Sequence, residues 1–308
     1  MIKSGKAPIP VLILLLIGIT AISFSSIFVK WSEAPVSVQA MYRLFMTAFM
    51  MLPFVWRKAP EIKQITPKQQ GLLFLSGFML ALHFLLWMGS LRYTSVASST
   101  LILALEPVFV MLGAYIWFKE RTSLSALVGV AIAFMGIFLL MGASRVSGSD
   151  ASFTGDMMSL LGTAAVAVHM LLGQSLMSRM SSLVYSWMVF LSAAMCLGVY
   201  NMALGIPVTG YPAKEWGIFL LLAIVPTVFG HLLFNWMMRF SSASVVSMSV
   251  LGEPVGASLL AFILLHETMN AWQFAGGFFV MCGLIWFLRY KQPHSEPAPP
   301  MRESVPQL

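Results

Sequence analysis

Apolar runs long enough to cross a bilayer, about 20 residues each, alternate with short polar breaks along nearly the whole chain. They divide into spans at roughly 8–29, 36–56, 70–90, 95–118, 124–143, 157–177, 183–204, 216–238, 243–265 and 271–289. Pro35, Pro53, Pro67 and Pro212 fall near span ends, where a residue lacking a backbone N–H is tolerated. From Gln292 the tail carries Pro293, Pro297, Pro299, Pro300 and Pro306, a composition that predicts disorder. Lys3, Lys6 and the apolar stretch from Pro10 to Ile22 have the look of a secretory signal, but nine further apolar segments follow, which favours a retained first span. The fold class predicted is an all-α integral membrane protein with ten transmembrane helices.

The same dipeptide interrupts two of these runs, at Glu106-Pro107 and Glu253-Pro254. A carboxylic side chain in hydrocarbon is costly, and a proline beside it removes one helical hydrogen bond. At a separation of 147, Arg92, Glu106, Pro107, Ala114, Glu120, Gly129 and Gly136 fall on Arg239, Glu253, Pro254, Ala261, Glu267, Gly276 and Gly283, with no gap. Apolar residues coincide easily by chance; an arginine, two glutamates, a proline and two glycines do not. The chain therefore reads as a tandem duplication, with a first repeat over 1–145, a linker over 146–156, a second repeat over 157–290 and a cytoplasmic tail over 291–308. Five spans per half is an odd number, so the second copy enters the membrane from the opposite side. Two inverted five-helix repeats are the architecture of alternating access in secondary transporters.

Composition agrees: 59% of residues are hydrophobic, 9% are charged and the mean hydropathy is +0.87, against about a quarter charged in soluble domains. The net charge of +7 does not indicate nucleic acid, because the basic residues stand at span ends. Lys3, Lys6, Arg57, Lys58, Lys63, Lys68, Lys119, Arg121, Arg179, Arg239, Arg289, Lys291 and Arg302 fall on one side, and only Lys30, Arg92, Arg145 and Lys214 on the other. The positive-inside rule then puts both termini in the cytoplasm. Cys196 and Cys282 lie inside apolar runs, indicating neither a disulfide nor a metal site. The 24 methionines suit an adaptable cavity but read more simply as packing.

The segments Ala81–Val110 and Pro226–Glu267, above all Gly252-Glu253-Pro254, resemble the drug/metabolite transporter superfamily, and within it the ten-span EamA-type transporters. The resemblance runs to about Arg289. It implies a bacterial inner membrane, secondary transport that is often export, and a central cavity formed by spans of both halves. It does not fix the substrate, since such proteins move amino acids, other metabolites and drugs.

Within this frame Glu106 and Glu253, beside the helix breaks at Pro107 and Pro254, either sense protonation at the cavity, with protons as the coupling ion, or clasp neighbouring spans. Arg43 is the only basic residue deep in a span; it faces an interior carboxylate or substrate anion, or else snorkels at the span's boundary. His83 and Trp87 are one helical turn apart, as are His231 and Asn235, and each pair offers a polar group beside an apolar wall for substrate binding. The 147-residue shift puts His83 on Gly230 and Trp87 on Phe234, so the pairs are not strict repeats. His169 and Gln174 are polar groups in the sixth span, with His169 read as packing; Tyr42, Tyr185, Asn201 and Trp236 are weaker candidates. Serines at 95–100 and 241–249, and glycines at 129, 136, 276 and 283, read as helix packing; the glycine faces also permit a homodimer beside a monomer.

A transporter of small neutral or zwitterionic metabolites, with no cofactor or metal, is the expected function. A channel or sensor is the non-enzymatic alternative; an intramembrane enzyme would need a Ser–His or paired-Asp arrangement, and an ATP-driven pump a Walker-type loop, neither of which the sequence supplies.

Overall fold

A computed structural model describes residues 11–118, 123–146, 150–177, 179–238, 246–247 and 250–290. These residues form helices α1 (Val11–Trp31), α2 (Val36–Trp56), α3 (Ala59–Lys63), α4 (Pro67–Ser90), α5 (Val96–Leu103), α6 (Glu106–Phe118), α7 (Leu124–Val146), α8 (Asp150–Met177), α9 (Ser182–Ala203), α10 (Ala213–Leu222), α11 (Leu233–Met237), α12 (Glu253–Leu265) and α13 (Ala271–Tyr290). A π-helical stretch, Ala223–Leu232, joins α10 to α11. Among the described residues, six helical segments are long and apolar enough to cross a membrane, and four shorter apolar ones accompany them. The outer surface of the bundle exposes Phe49, Phe54, Trp56, Phe138, Ile263 and Phe278, side chains that hydrocarbon accepts and water does not.

Local chemistry sets the ends and the breaks. Thr66 and Gln69 form a reciprocal capping box, with Pro67 in the first turn, so α4 starts ahead of the span edge expected at residue 70. The span expected over 95–118 is two helices. Pro107 has no N–H to give the Leu103 carbonyl, and the chain tightens there through Leu105 N–H to Ile102 O (3.0 Å) and Val108 N–H to Leu105 O (2.9 Å). Glu106 thus opens α6 instead of interrupting a helix. In the second repeat a short 3₁₀ turn, Val250–Gly252, precedes Glu253 in the same way. The serines at 241–245 and at 248–249 and the repeat partners Glu120 and Arg239 lie outside the described residues.

Two boundaries depart from expectation. Instead of a linker over 146–156, α7 runs to Val146 and α8 begins at Asp150. Asp156 is buried and accepts the Thr94 hydroxyl at 2.8 Å, which anchors the early part of α8. The span expected over 216–238 changes from α to π at Ala223, around the buried Pro226.

Helix α2 packs on α9, α4 on α8 and α9, α1 on the π stretch and α12, α5 on α12, and α7 on α13. The last pair is set by glycine: a Cβ at Gly129 would lie 2.6 Å from the Gly283 carbonyl oxygen, and one at Gly136 would lie 2.6 Å from that of Gly276. The small-residue faces are therefore used within the chain, which removes the reason for expecting a dimer through them. Serines join helices as expected, with Ser90 Oγ 2.7 Å from Ser99 Oγ and Ser159 Oγ donating to the Ser99 carbonyl at 2.8 Å. Interhelical bonds of this kind contribute on average about 0.6 kcal/mol each in a bilayer.

Candidate functional site

Helices α1, α4 and α8, the π–α11 segment and both helix breaks surround a cavity of about 50 Å³. Its polar lining is Ser25, His83, Trp87, Glu106, His169, His231, Asn235 and Glu253. Both candidate pairs, from α4 and from the π–α11 segment, and both Glu-Pro glutamates converge on this one space. A water needs about 10–15 Å³ by such a measure, whereas ligand pockets commonly run to ~300–1,000 Å³. The cavity of the described conformation is thus a small polar core.

Each side chain is held by its element. His83 Nδ1 donates to the Gly162 carbonyl of α8 at 3.0 Å, which leaves Nε2 as the ring's acceptor. Its ring stacks on Trp87, centroids 5.9 Å apart and planes inclined by 7°. Asn235 Nδ2 donates to Ser186 Oγ at 3.1 Å. His169, read as packing, does both jobs: Nδ1 lies 2.9 Å from Ser76 Oγ, which is 2.8 Å from the Tyr185 hydroxyl, and the ring borders the cavity. Glu106 and Glu253 are each 4% exposed. Met170 is the one methionine among the described lining residues of this cavity, while Met269 and Met281 line a second, apolar groove. Pro254 also lines that groove, of about 720 Å³, between α5, α12 and α13.

Arg43 is fully buried, which rules out snorkelling at a boundary. Its partners are not carboxylates. Nε donates to Thr227 Oγ1 at 3.0 Å, Nη1 to Ser25 Oγ at 3.2 Å, and the guanidinium carbon sits 4.3 Å above the Phe84 ring. Phe84 packs edge-on against His231, so the charge stands one layer behind the cavity wall. The sequence reading passed over Ser25, although serines at 23, 25 and 26 in an apolar run were a visible signal. Tyr42 donates to the Val208 carbonyl at 2.7 Å and Asn201 Nδ2 reaches Met41 Sδ at 3.7 Å, both away from the cavity. Cys196 and Cys282 are free thiols.

The bundle's ends are fastened by carboxylates. At one end Glu215 accepts the Ser32 hydroxyl and the Glu33 N–H (3.0 Å), just ahead of α2. Nearby, Lys30 pairs with Glu267 at 3.1 Å, Glu267 accepts the Val96 N–H at 2.9 Å, and Arg92 donates to the Ser32 carbonyl at 2.8 Å. At the other end Glu61 accepts the N–H (2.5 Å) and hydroxyl (2.9 Å) of Ser181, the N-cap of α9.

The model of the EamA-like transporter family matches residues 9–142 and again 153–289. Among curated proteins, a probable amino-acid metabolite efflux pump of Salmonella typhimurium is 26% identical over 290 residues, covering 89% of this chain and 92% of that protein. An uncharacterized transporter of Archaeoglobus fulgidus is 28% identical over 211 residues, covering 67% of this chain and 72% of that protein. A solved crystal structure superposes with a TM-score of 0.64 at 16% identity, over 89% of this chain and 95% of that one, a likeness of fold alone.

Proposed function

The chain belongs to the EamA-like transporter family, and from that premise we propose that it is a secondary transporter that exports small neutral or zwitterionic metabolites, amino acids foremost. Ten spans form two inverted five-span halves in a bacterial inner membrane, with both termini cytoplasmic, and the halves rock about the central cavity. The observation that carries this reading is the convergence of both His–aromatic and His–amide pairs and of both Glu-Pro glutamates on one small polar cavity inside an apolar bundle. A channel needs a continuous polar path, whereas secondary transporters place their sites at helix breaks near mid-depth, as both Glu-Pro breaks are here.

The packing supports the inversion. The third span of each half lies on the first span of the other: α4 on α8, and the π stretch on α1. Spans two and seven, four and nine, and five and ten pair with each other, as α2–α9, α5–α12 and α7–α13. Substrate contacts fall to His83, Trp87, His231 and Asn235, with Arg43 behind them and Glu106 and Glu253 at the helix breaks. The likeness to the Salmonella protein named as an amino-acid metabolite efflux pump supports the choice of substrate class.

The test is efflux from proteoliposomes loaded with amino acids and neutral metabolites, read by mass spectrometry with and without a pH gradient. Selective release is expected, accelerated by the gradient if Glu106 or Glu253 carries the coupling proton. Release of every compound at one rate would favour a channel.

A further inference from the structure

Among the described residues, buried side-chain polar atoms without a hydrogen-bond partner are few, and they gather at the cavity: Nε1 of Trp87, Oε1 of Glu106 and Nη2 of Arg43, with Gln39 and Asn201 elsewhere. Buried polar atoms normally have partners, so orphans concentrated in one place call for an explanation there. Two are donors and one is an acceptor. Trp87 and Glu106 line the cavity directly. Arg43 is joined to it through Ser25, which its Nη1 holds, and through Phe84, three residues before Trp87 on α4.

The charges are arranged in the same sense. No described carboxylate forms an ion pair with Arg43. Glu253 lines the cavity together with Glu106, so two carboxyl groups face the space that Arg43 borders through Ser25. A monoanion would meet two glutamates here, and a monocation would meet Arg43. A molecule that carries a carboxylate and an ammonium a few bonds apart answers both ends, and also gives the Trp87 N–H an acceptor.

We propose that the cavity binds an α-amino-acid-type zwitterion in one orientation, its carboxylate toward Trp87 and Arg43 and its ammonium toward Glu106. This rests on the transport reading and adds which side chain reads which end of the substrate. Arg43 has no counterpart in the repeat, since the 147-residue shift places it on Phe190. Arg43 therefore adds to the asymmetry of His83 and Trp87, whose shifted positions are Gly230 and Phe234. At about 50 Å³ the cavity is smaller than such a ligand's pocket, so the groups engage when it widens.

The experiment is exchange in proteoliposomes with three probe sets: the common amino acids, their carboxamides, which keep the ammonium, and their deaminated acids, which keep the carboxylate. Wild-type protein is expected to prefer the amino acids over both other sets by roughly tenfold or more, the fold-change of one charge-assisted hydrogen bond. In Arg43→Gln the preference over carboxamides should collapse while that over deaminated acids persists; Glu106→Gln should do the reverse. Arg43→Lys keeps the charge and should retain part of the carboxylate preference, which separates lost recognition from lost folding. Amino-acid exchange with no preference over carboxamides would mean that water alone serves these atoms, and would overturn the proposal while leaving the transport reading intact. The proposal would fall in the same way if R43Q and E106Q, shown to be folded, lost both preferences equally. Exchange of carboxamides or deaminated acids but of no amino acid would overturn it as well, and absence of all exchange by folded wild-type protein would remove the amino-acid transport reading itself.

Discussion

A guanidinium in hydrocarbon is costly unless its donors are used, and Arg43 uses two of them on hydroxyls instead of on a carboxylate. Thr227 is the more exacting partner, because its Oγ1 accepts from Arg43 Nε and donates to the Leu222 carbonyl at 2.8 Å. Thr227→Val keeps the shape and strands the Nε donor. It should cost about 1.5–3 kcal/mol, the range for hydrogen bonds to charged groups, seen as a lower midpoint in detergent unfolding. Thr227→Ser should restore most of it; an unchanged midpoint in Thr227→Val would mean that the hydroxyl does not hold the guanidinium. Arg43 itself was legible as a charge deep in an apolar run. Its partner was not, because Thr227 lies 184 residues away, and no periodicity relates a residue on α2 to one on a π-helical stretch. His83–Trp87 and His231–Asn235 were legible for the opposite reason: neighbours one turn apart on one segment need no tertiary information.

At the scale of elements, period and breakers carried the reading a long way. Both Glu-Pro breaks appear where proline removes a donor, and the glycines at 129, 136, 276 and 283 form a packing face. What could not be read was the choice of partner: the two small-residue faces meet each other within one chain, whereas the sequence also allowed them to meet a second copy. The π stretch was missed too, although Pro226 in the eighth span was a visible irregularity. The glycine pairing makes a sharp contrast between two sites. At Gly129 a Cβ would press on backbone atoms of Gly283 and Phe287, which cannot step aside. Gly129→Val should therefore destabilise by about 1–3 kcal/mol, with a lower yield of folded protein. At Gly71 on α4 a Cβ meets nothing within 4 Å, so Gly71→Ala should be neutral or stabilise by up to about 1 kcal/mol through helix propensity alone. Equal melting behaviour for the two variants would contradict the close α7–α13 approach.

For the whole molecule, the duplication was visible only where the two copies keep one offset. The Glu-Pro sites do, at 147, and they meet at one cavity. The carboxylate clasps do not: Glu61 and Glu215 are offset by 154, and the serines they hold, Ser181 and Ser32, by 149. A search at fixed spacing passes over them, yet they are counterparts in space. Glu61 lies on α3, just before α4, and Glu215 lies in the first turn of α10. Each holds a serine hydroxyl and a backbone N–H ahead of a distant helix, Glu215 ahead of α2 and Glu61 ahead of α9. In the proposed orientation the Glu215 clasp closes the outer end and the Glu61 clasp the cytoplasmic end. Alternating access then requires that they open in turn, and weakening one should bias the cavity toward its side. Glutamine keeps one acceptor oxygen but loses the charge assistance that makes such bonds about twice as strong as neutral ones. With both native cysteines replaced by alanine and a reporter cysteine in place of Val166 on the cavity wall, Glu215→Gln should raise labelling by a membrane-impermeant thiol reagent from the outer face. Glu61→Gln should raise it from the cytoplasmic face in inverted vesicles. Each increase should be several-fold, because a bias of about 1 kcal/mol shifts a two-state population by a factor of ~5. Equal increases from both faces in either variant would mean that the clasps hold the bundle together without gating it.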